Sequence, residues 1–106
     1  MGDQANERVG LQIRGGTLVL SGELSFDTVN LIVATGRQAL DALSADSAVL
    51  DLSAVTKTDS AGLALVVDWV RSTRRRGAQL TIVGVSPQLA EIARVSGLED
   101  FLAGVE

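Results

Sequence analysis

Apolar and polar positions alternate in two short runs near the start of the chain, LQIR at residues 11–14 and TLVL at residues 17–20, separated by Gly15-Gly16. Alternation is the period of a half-buried strand. Two glycines between such runs predict a hairpin, because both tolerate positive φ. From residue 25 the spacing changes. Val29, Ile32, Val33, Gly36, Leu40 and Leu43 recur at helical intervals and form one apolar face over residues 25–43, with Ser25 as the predicted N-cap. Residues 47–53 (SAVLDLS) form a short apolar run between polar residues and read as a buried strand.

The next segment, VTKTDSAGLALVVDW at residues 55–69, carries a polar loop into a predicted helix over residues 60–76. That helix stops in ordinary fashion, with arginines in its last turn and Gly77 beyond them. A strand follows over residues 78–85. Ser86-Pro87 then opens a helix, with serine as cap and proline at the first helical position, and Gly97 closes it. Leu98, Phe101 and Leu102 are left to make a short closing turn over the core or the sheet edge. The order is β-β-α-β-α-β-α. Helices between strands imply parallel pairs, and the opening hairpin adds an antiparallel one, so the fold class is α/β with a small mixed sheet. Residues 1–9 are polar and are expected to form a flexible tail before a single domain at 10–104.

The helix after residue 59 is apolar on two sides. On a wheel with Leu63 at the origin, Val66, Val67 and Val70 fall within roughly 60° and are expected to face the sheet. Ala61, Leu65 and Trp69 recur every fourth residue on the other side. Such a stripe is covered by a second helix of the domain or it meets a partner. Tryptophan is enriched in interface hot spots.

The loop allows two compatible readings. Asp59 or Ser60 caps the helix by accepting an early backbone N–H. A serine hydroxyl at the positive end of a helix is also a place where a phosphate can sit, where it would meet the charge of Asp59 and disturb a docked partner.

Composition removes most other chemistries. The chain has no cysteine and no histidine. Thiol nucleophiles, Ser-His-Asp triads and the usual zinc sites are therefore excluded, and Ser60 has no histidine base. Lys57 is the only lysine. Phosphate loops of the G-x-x-x-x-G-K-[ST] or G-x-G-x-x-G type are absent. Asp51, Asp59 and Asp68 sit on a strand, a loop and a helix interior, a spacing that does not bring them to one Mg²⁺. A catalytic site, a cofactor and a metal are accordingly not expected. The net charge is -4, from 9 basic and 13 acidic residues, which argues against a nucleic-acid partner. The arginines of RSTRRR at residues 71–76 read as a solvated helix end, or more weakly as a contact for an acidic partner or lipid headgroups. With no leader-like N-terminus and no run of about 20 apolar residues, a cytoplasmic protein is expected.

VLDLSAVTKTDSAGLALVV, LSGELS and SPQLAEIARVSGL together resemble the STAS domain family, over residues 10–104. The resemblance implies a non-enzymatic docking domain whose surface is the loop and first turns of the second helix: Lys57, Thr58, Asp59, Ser60, Ala61 and Gly62, with Leu65 and Trp69 as apolar anchors and Gly62 admitting a partner backbone. Two branches are similar to this chain. In the small STAS subunit of Mla-type phospholipid ABC transporters, which maintain outer-membrane lipid asymmetry, the partner is the transporter's ATPase. The protein would then lie peripheral to the inner membrane only through that complex. In the anti-sigma factor antagonists the partner is a kinase, which phosphorylates the serine matching Ser60. GGTLVLSGEL and DSAGLALVVDWVRSTRRRGAQLTIVGV favour the first branch. Members of that branch often carry threonine where this chain has Ser60. Self-association through the Leu65–Trp69 stripe is a further expectation.

Overall fold

The computed structural model describes residues 8–43 and 46–103. Four strands form one sheet in the order β1-β2-β3-β4: β1 (Val9–Arg14), β2 (Thr17–Leu24), β3 (Ser47–Thr58) and β4 (Gln79–Val83). The first pair is antiparallel and turns at Gly15-Gly16, where Gly15 takes φ +60°. The β2–β3 and β3–β4 pairs are parallel. Each parallel pair is linked through a helix, α1 (Val29–Ala42) and then α2 (Ser60–Arg75). Two further helices, α3 (Pro87–Ser96) and α4 (Asp100–Ala103), follow β4. This is the mixed α/β sheet that the alternation of patterns predicts.

One face of the sheet carries the core. Leu18 and Leu20 of β2, Leu50 and Leu52 of β3, and Leu80 and Ile82 of β4 are all buried. Leu63, Val66, Val67 and Val70 of α2 pack into the same cluster, as the wheel predicts, together with Ile32 and Leu40 of α1. Each such side chain contributes on the order of 1.5–3 kcal/mol by leaving water. Leu102 closes the core from α4 and is 7% exposed.

Several boundaries differ from the pattern-based expectation. The expected tail at residues 1–9 lies largely outside the described residues, but Val9 already begins β1 and is buried. Strand β3 continues through the supposed loop to Thr58. It does so because β2 also runs on to Leu24, and the two keep pairing across two register irregularities, ending at Glu23 opposite Lys57 and Leu24 opposite Thr58.

Ser25 does not cap α1. Its carbonyl accepts the N–H groups of Thr28 and Val29, each at 2.9 Å, and its hydroxyl donates to Glu23 at 2.5 Å. Residues 25–28 thus close a turn of their own. The Thr28 hydroxyl locks it by donating to the Glu23 carbonyl at 2.8 Å and accepting the Ser25 N–H at 2.9 Å. The helix that follows starts at Val29. The cap of α3 is the predicted one: Ser86 accepts the Leu89 N–H at 3.1 Å, with Pro87 in the first turn.

Candidate functional site

The site lies where β3 ends and α2 begins, at the carboxyl end of the parallel strands. Ligand and partner sites of open α/β sheets gather at this edge. Asp59 joins the two elements in extended geometry. Its Oδ1 accepts the backbone N–H groups of Ala61 at 2.9 Å and Gly62 at 3.2 Å, so Asp59 and not Ser60 is the helix cap. Ser60 therefore occupies the first helical position with an exposed side chain. The other Asp59 oxygen, Oδ2, accepts the Phe26 N–H at 3.1 Å and ties the β2–α1 turn to the start of α2.

The residues expected to form the surface separate into two groups. Lys57 and Ser60 are exposed, and Asp59 and Ala61 are half-buried. These four share one rim. Thr58 and Gly62 face inward. Thr58 is 4% exposed, and its N–H donates to Gln88 Oε1 of α3 at 3.3 Å. Gly62 does leave room for a close backbone, but that backbone belongs to the same chain: a Cβ there would overlap the Leu24 carbonyl and the Thr58 hydroxyl.

The largest correction concerns Trp69. It is fully buried, with no exposure. Its indole lies against Gly36 of α1, where an added Cβ would overlap ring atoms Cζ2 and Cη2. The indole N–H donates to the Val33 carbonyl at 3.3 Å. Trp69 is thus part of the α1–α2 contact and presents no anchor to solvent, so the expected self-association through it loses its basis. An ion pair between Arg37 and Asp68 borders the same contact.

Leu65 is 4% exposed but still floors a shallow groove of about 270 Å³, walled by Val29, Val33, Ala61, Ala64 and Asp68. That volume lies just below the roughly 300–1,000 Å³ of small-molecule sites. A second groove, of about 390 Å³, lies on the β1 side of α1 between Val9, Leu11, Leu31 and Thr35.

Phe26 belongs to none of the apolar periods of the sequence. It is 76% exposed, the most exposed large apolar side chain among the described residues. The available signal was its place in an otherwise polar turn, immediately after the matched LSGELS.

Asp51, Asp59 and Asp68 each have a separate partner. Asp51 accepts from the Ser53 N–H at 2.9 Å and the Ser53 hydroxyl at 2.5 Å, and these bonds lower its pKa. Asp59 holds the cap, and Asp68 pairs with Arg37. No cluster of three or more potential metal ligands is found among the described residues. The arginines of RSTRRR are largely engaged within the molecule. Arg71 and Arg74 lie over the Phe101 ring at 5.1 and 5.3 Å. Arg76 donates to the Leu40 carbonyl at 3.0 Å and pairs with Asp41 at 3.4 Å. Among the described residues, no helix is long and apolar enough to cross a membrane.

The sheet order and the rim at the head of α2 define a STAS domain, and the family model described as "Mlab, STAS domain" matches residues 8–104. The chain belongs to this family, in its MlaB-type branch. It is 30% identical over 84 residues to the intermembrane phospholipid transport system binding protein MlaB of Escherichia coli (strain K12), a match spanning 79% of this chain and 82% of that protein. The MlaB of Shigella flexneri matches equally well.

Among solved structures, the anti-sigma factor antagonist SpoIIAA in its unphosphorylated form superposes with a TM-score of 0.68 at 22% identity, over 89% of this chain and 84% of that one. An anti-sigma factor antagonist from Mycobacterium paratuberculosis gives 0.63 at 23% identity, over 89% of this chain and 80% of its own. At these identities the superpositions establish the shared fold.

Proposed function

We propose that this protein is the non-catalytic STAS subunit of a Mla-type phospholipid ABC transporter. It docks on the transporter's nucleotide-binding subunit and supports that subunit's assembly and activity. The observation that carries this reading is the match to MlaB across most of both chains. The rim fits the task. It combines exposed Lys57 and Ser60 with the apolar groove beside them, and it is built on the end of a strand and the first turns of a helix.

The test mixes the purified protein with the nucleotide-binding subunit of the phospholipid transporter encoded in the same genome. A stoichiometric complex with raised ATPase activity is expected. Ser60→Asp should weaken it by adding a charge beside Asp59. Two separate proteins on a sizing column, with unchanged ATPase activity, would overturn the reading.

One observation favours a second reading. Because Asp59 provides the cap, the Ser60 hydroxyl is exposed at a helix N-terminus, where a phosphate would be accommodated by the helix field. In that reading the chain is an anti-sigma factor antagonist, and Ser60 is phosphorylated by an anti-sigma factor kinase. Incubation with such a kinase and ATP distinguishes them. One phosphate on Ser60, detected by mass spectrometry and lost in Ser60→Ala, supports the regulatory reading. An unmodified chain leaves the transporter reading.

A further inference from the structure

The chain has three aromatic side chains. Trp69 is enclosed between α1 and α2, and Phe101 is half-buried beneath Arg71 and Arg74. Phe26 alone projects from the surface, and the segment that carries it is held from several sides. The Ser25 carbonyl and Thr28 hydroxyl close its turn. The Phe26 N–H is bonded to Asp59 Oδ2, across 33 residues of sequence. The same carboxylate caps α2 through Oδ1. One side chain therefore fixes the backbone that bears the exposed phenyl group relative to Ser60 and the head of the groove.

We propose that Phe26 is the aromatic anchor of the docking rim and that Asp59 is its positioning residue, seating the ring against the transporter's nucleotide-binding subunit. This deepens the transporter reading and rests on it. A protein occupant is favoured by the charges around the patch. Asp68 is paired with Arg37, and Glu23 with Arg8 at 3.0 Å. The groove walls are apolar apart from Asn30 and Asp68. A phosphate-bearing ligand would need several free cations here, whereas a protein surface needs one apolar side chain for the groove and an apolar contact for the ring. Large aromatic side chains dominate such interfaces. Holding the turn in place before binding reduces the entropy lost on association.

Asp59→Asn is the discriminating variant. Asparagine caps a helix as well as aspartate. With its oxygen committed to the cap, its amide presents NH₂ toward Phe26 and cannot accept that N–H. Two measurements are made on the full chain. The first is amide hydrogen exchange at Phe26 in the free protein. The second is affinity for the nucleotide-binding subunit, for wild type, Phe26→Ala, Asp59→Asn and the double variant.

In Asp59→Asn the Phe26 amide should exchange at least about tenfold faster while the α2 amides are unchanged, tenfold being the loss of one hydrogen bond worth about 1.4 kcal/mol. Phe26→Ala should weaken binding roughly tenfold to a hundredfold, as for a hot-spot aromatic. Asp59→Asn should weaken it less, and the double variant should bind no worse than Phe26→Ala, because Asp59 acts through Phe26. Unchanged exchange at Phe26 would overturn the clamp. Wild-type affinity in Phe26→Ala would overturn the anchor, and additive losses in the double variant would overturn the positioning role of Asp59. If the wild-type chain does not bind the subunit at all, the transporter reading and this occupant both fall, while the exchange measurement still decides the clamp.

Discussion

Helix α2 meets α1 and its preceding turn in two places, and the two differ in what they do with an aromatic ring. In its middle, Trp69 is drawn wholly inside, because Gly36 opposite it has no side chain and leaves a ring-sized space. At its head, the turn before α1 comes close enough for a hydrogen bond from Phe26 to Asp59, yet the ring of Phe26 stays in water. The first contact is made of packed apolar surface and stabilises the fold. The second is made of polar bonds that fix the backbone of a turn and leave its aromatic side chain in water. The size of an aromatic side chain says nothing about which role it has. The neighbour that receives it decides.

The most severe way to break the inner contact is Trp69→Ala. It should destabilise the protein by about 3–5 kcal/mol in urea unfolding, as for other aromatic-to-alanine core truncations. A loss within about 0.5 kcal/mol, as at ordinary surface positions, would return Trp69 to the surface. Gly36→Ala attacks the same contact from the other side and should cost about 1–3 kcal/mol by overpacking. It should cost much less when Trp69 is already alanine, because the two changes share one cavity. Additive costs would show that the indole and Gly36 are independent.

The outer contact should respond to pH. Glu23, in the strand end that supports the turn, has its pKa lowered first by the Ser25 hydroxyl and then by Arg8, from an ordinary value of 4.5. A carboxyl depressed in the folded state adds stability that is fully present above its unfolded value and is lost as pH falls through the folded one. The melting temperature should therefore decline below about pH 4.5, and Glu23→Gln should flatten part of that decline. An identical acid profile in the variant would remove Glu23 from the account. The smallest expected effect is that of Phe26→Ala on stability, within about 0.5 kcal/mol, as for an exposed side chain away from core contacts. A larger loss would mean that the ring packs on the domain after all.

The periodicities of the sequence were enough for the element order, the sheet type and the sheet-facing side of α2. Leu63, Val66, Val67 and Val70 sit where their spacing puts them. The resemblance of VLDLSAVTKTDSAGLALVV, LSGELS and SPQLAEIARVSGL, taken together, to the STAS family was enough for the family itself. Partner selection for the second stripe was not legible. A Trp at helical spacing looks the same whether a glycine waits opposite it or water does, and the glycine is 33 residues away. Strand extension to Thr58 was hidden as well, because VTKT is polar and its pairing depends on β2 running past Gly22 through two register shifts. The double use of Asp59 was half visible. Capping is local, while its bond to Phe26 depends on how two distant segments meet.

The most direct test of the docking rim is hydrogen–deuterium exchange of this chain, free and saturated with the transporter's nucleotide-binding subunit. Slowed exchange is expected over residues 25–33 and 59–65, the Phe26 turn and the head of α2, with β1 unchanged. Protection confined to β1, around Val9 and Leu11, or none at the rim, would contradict it.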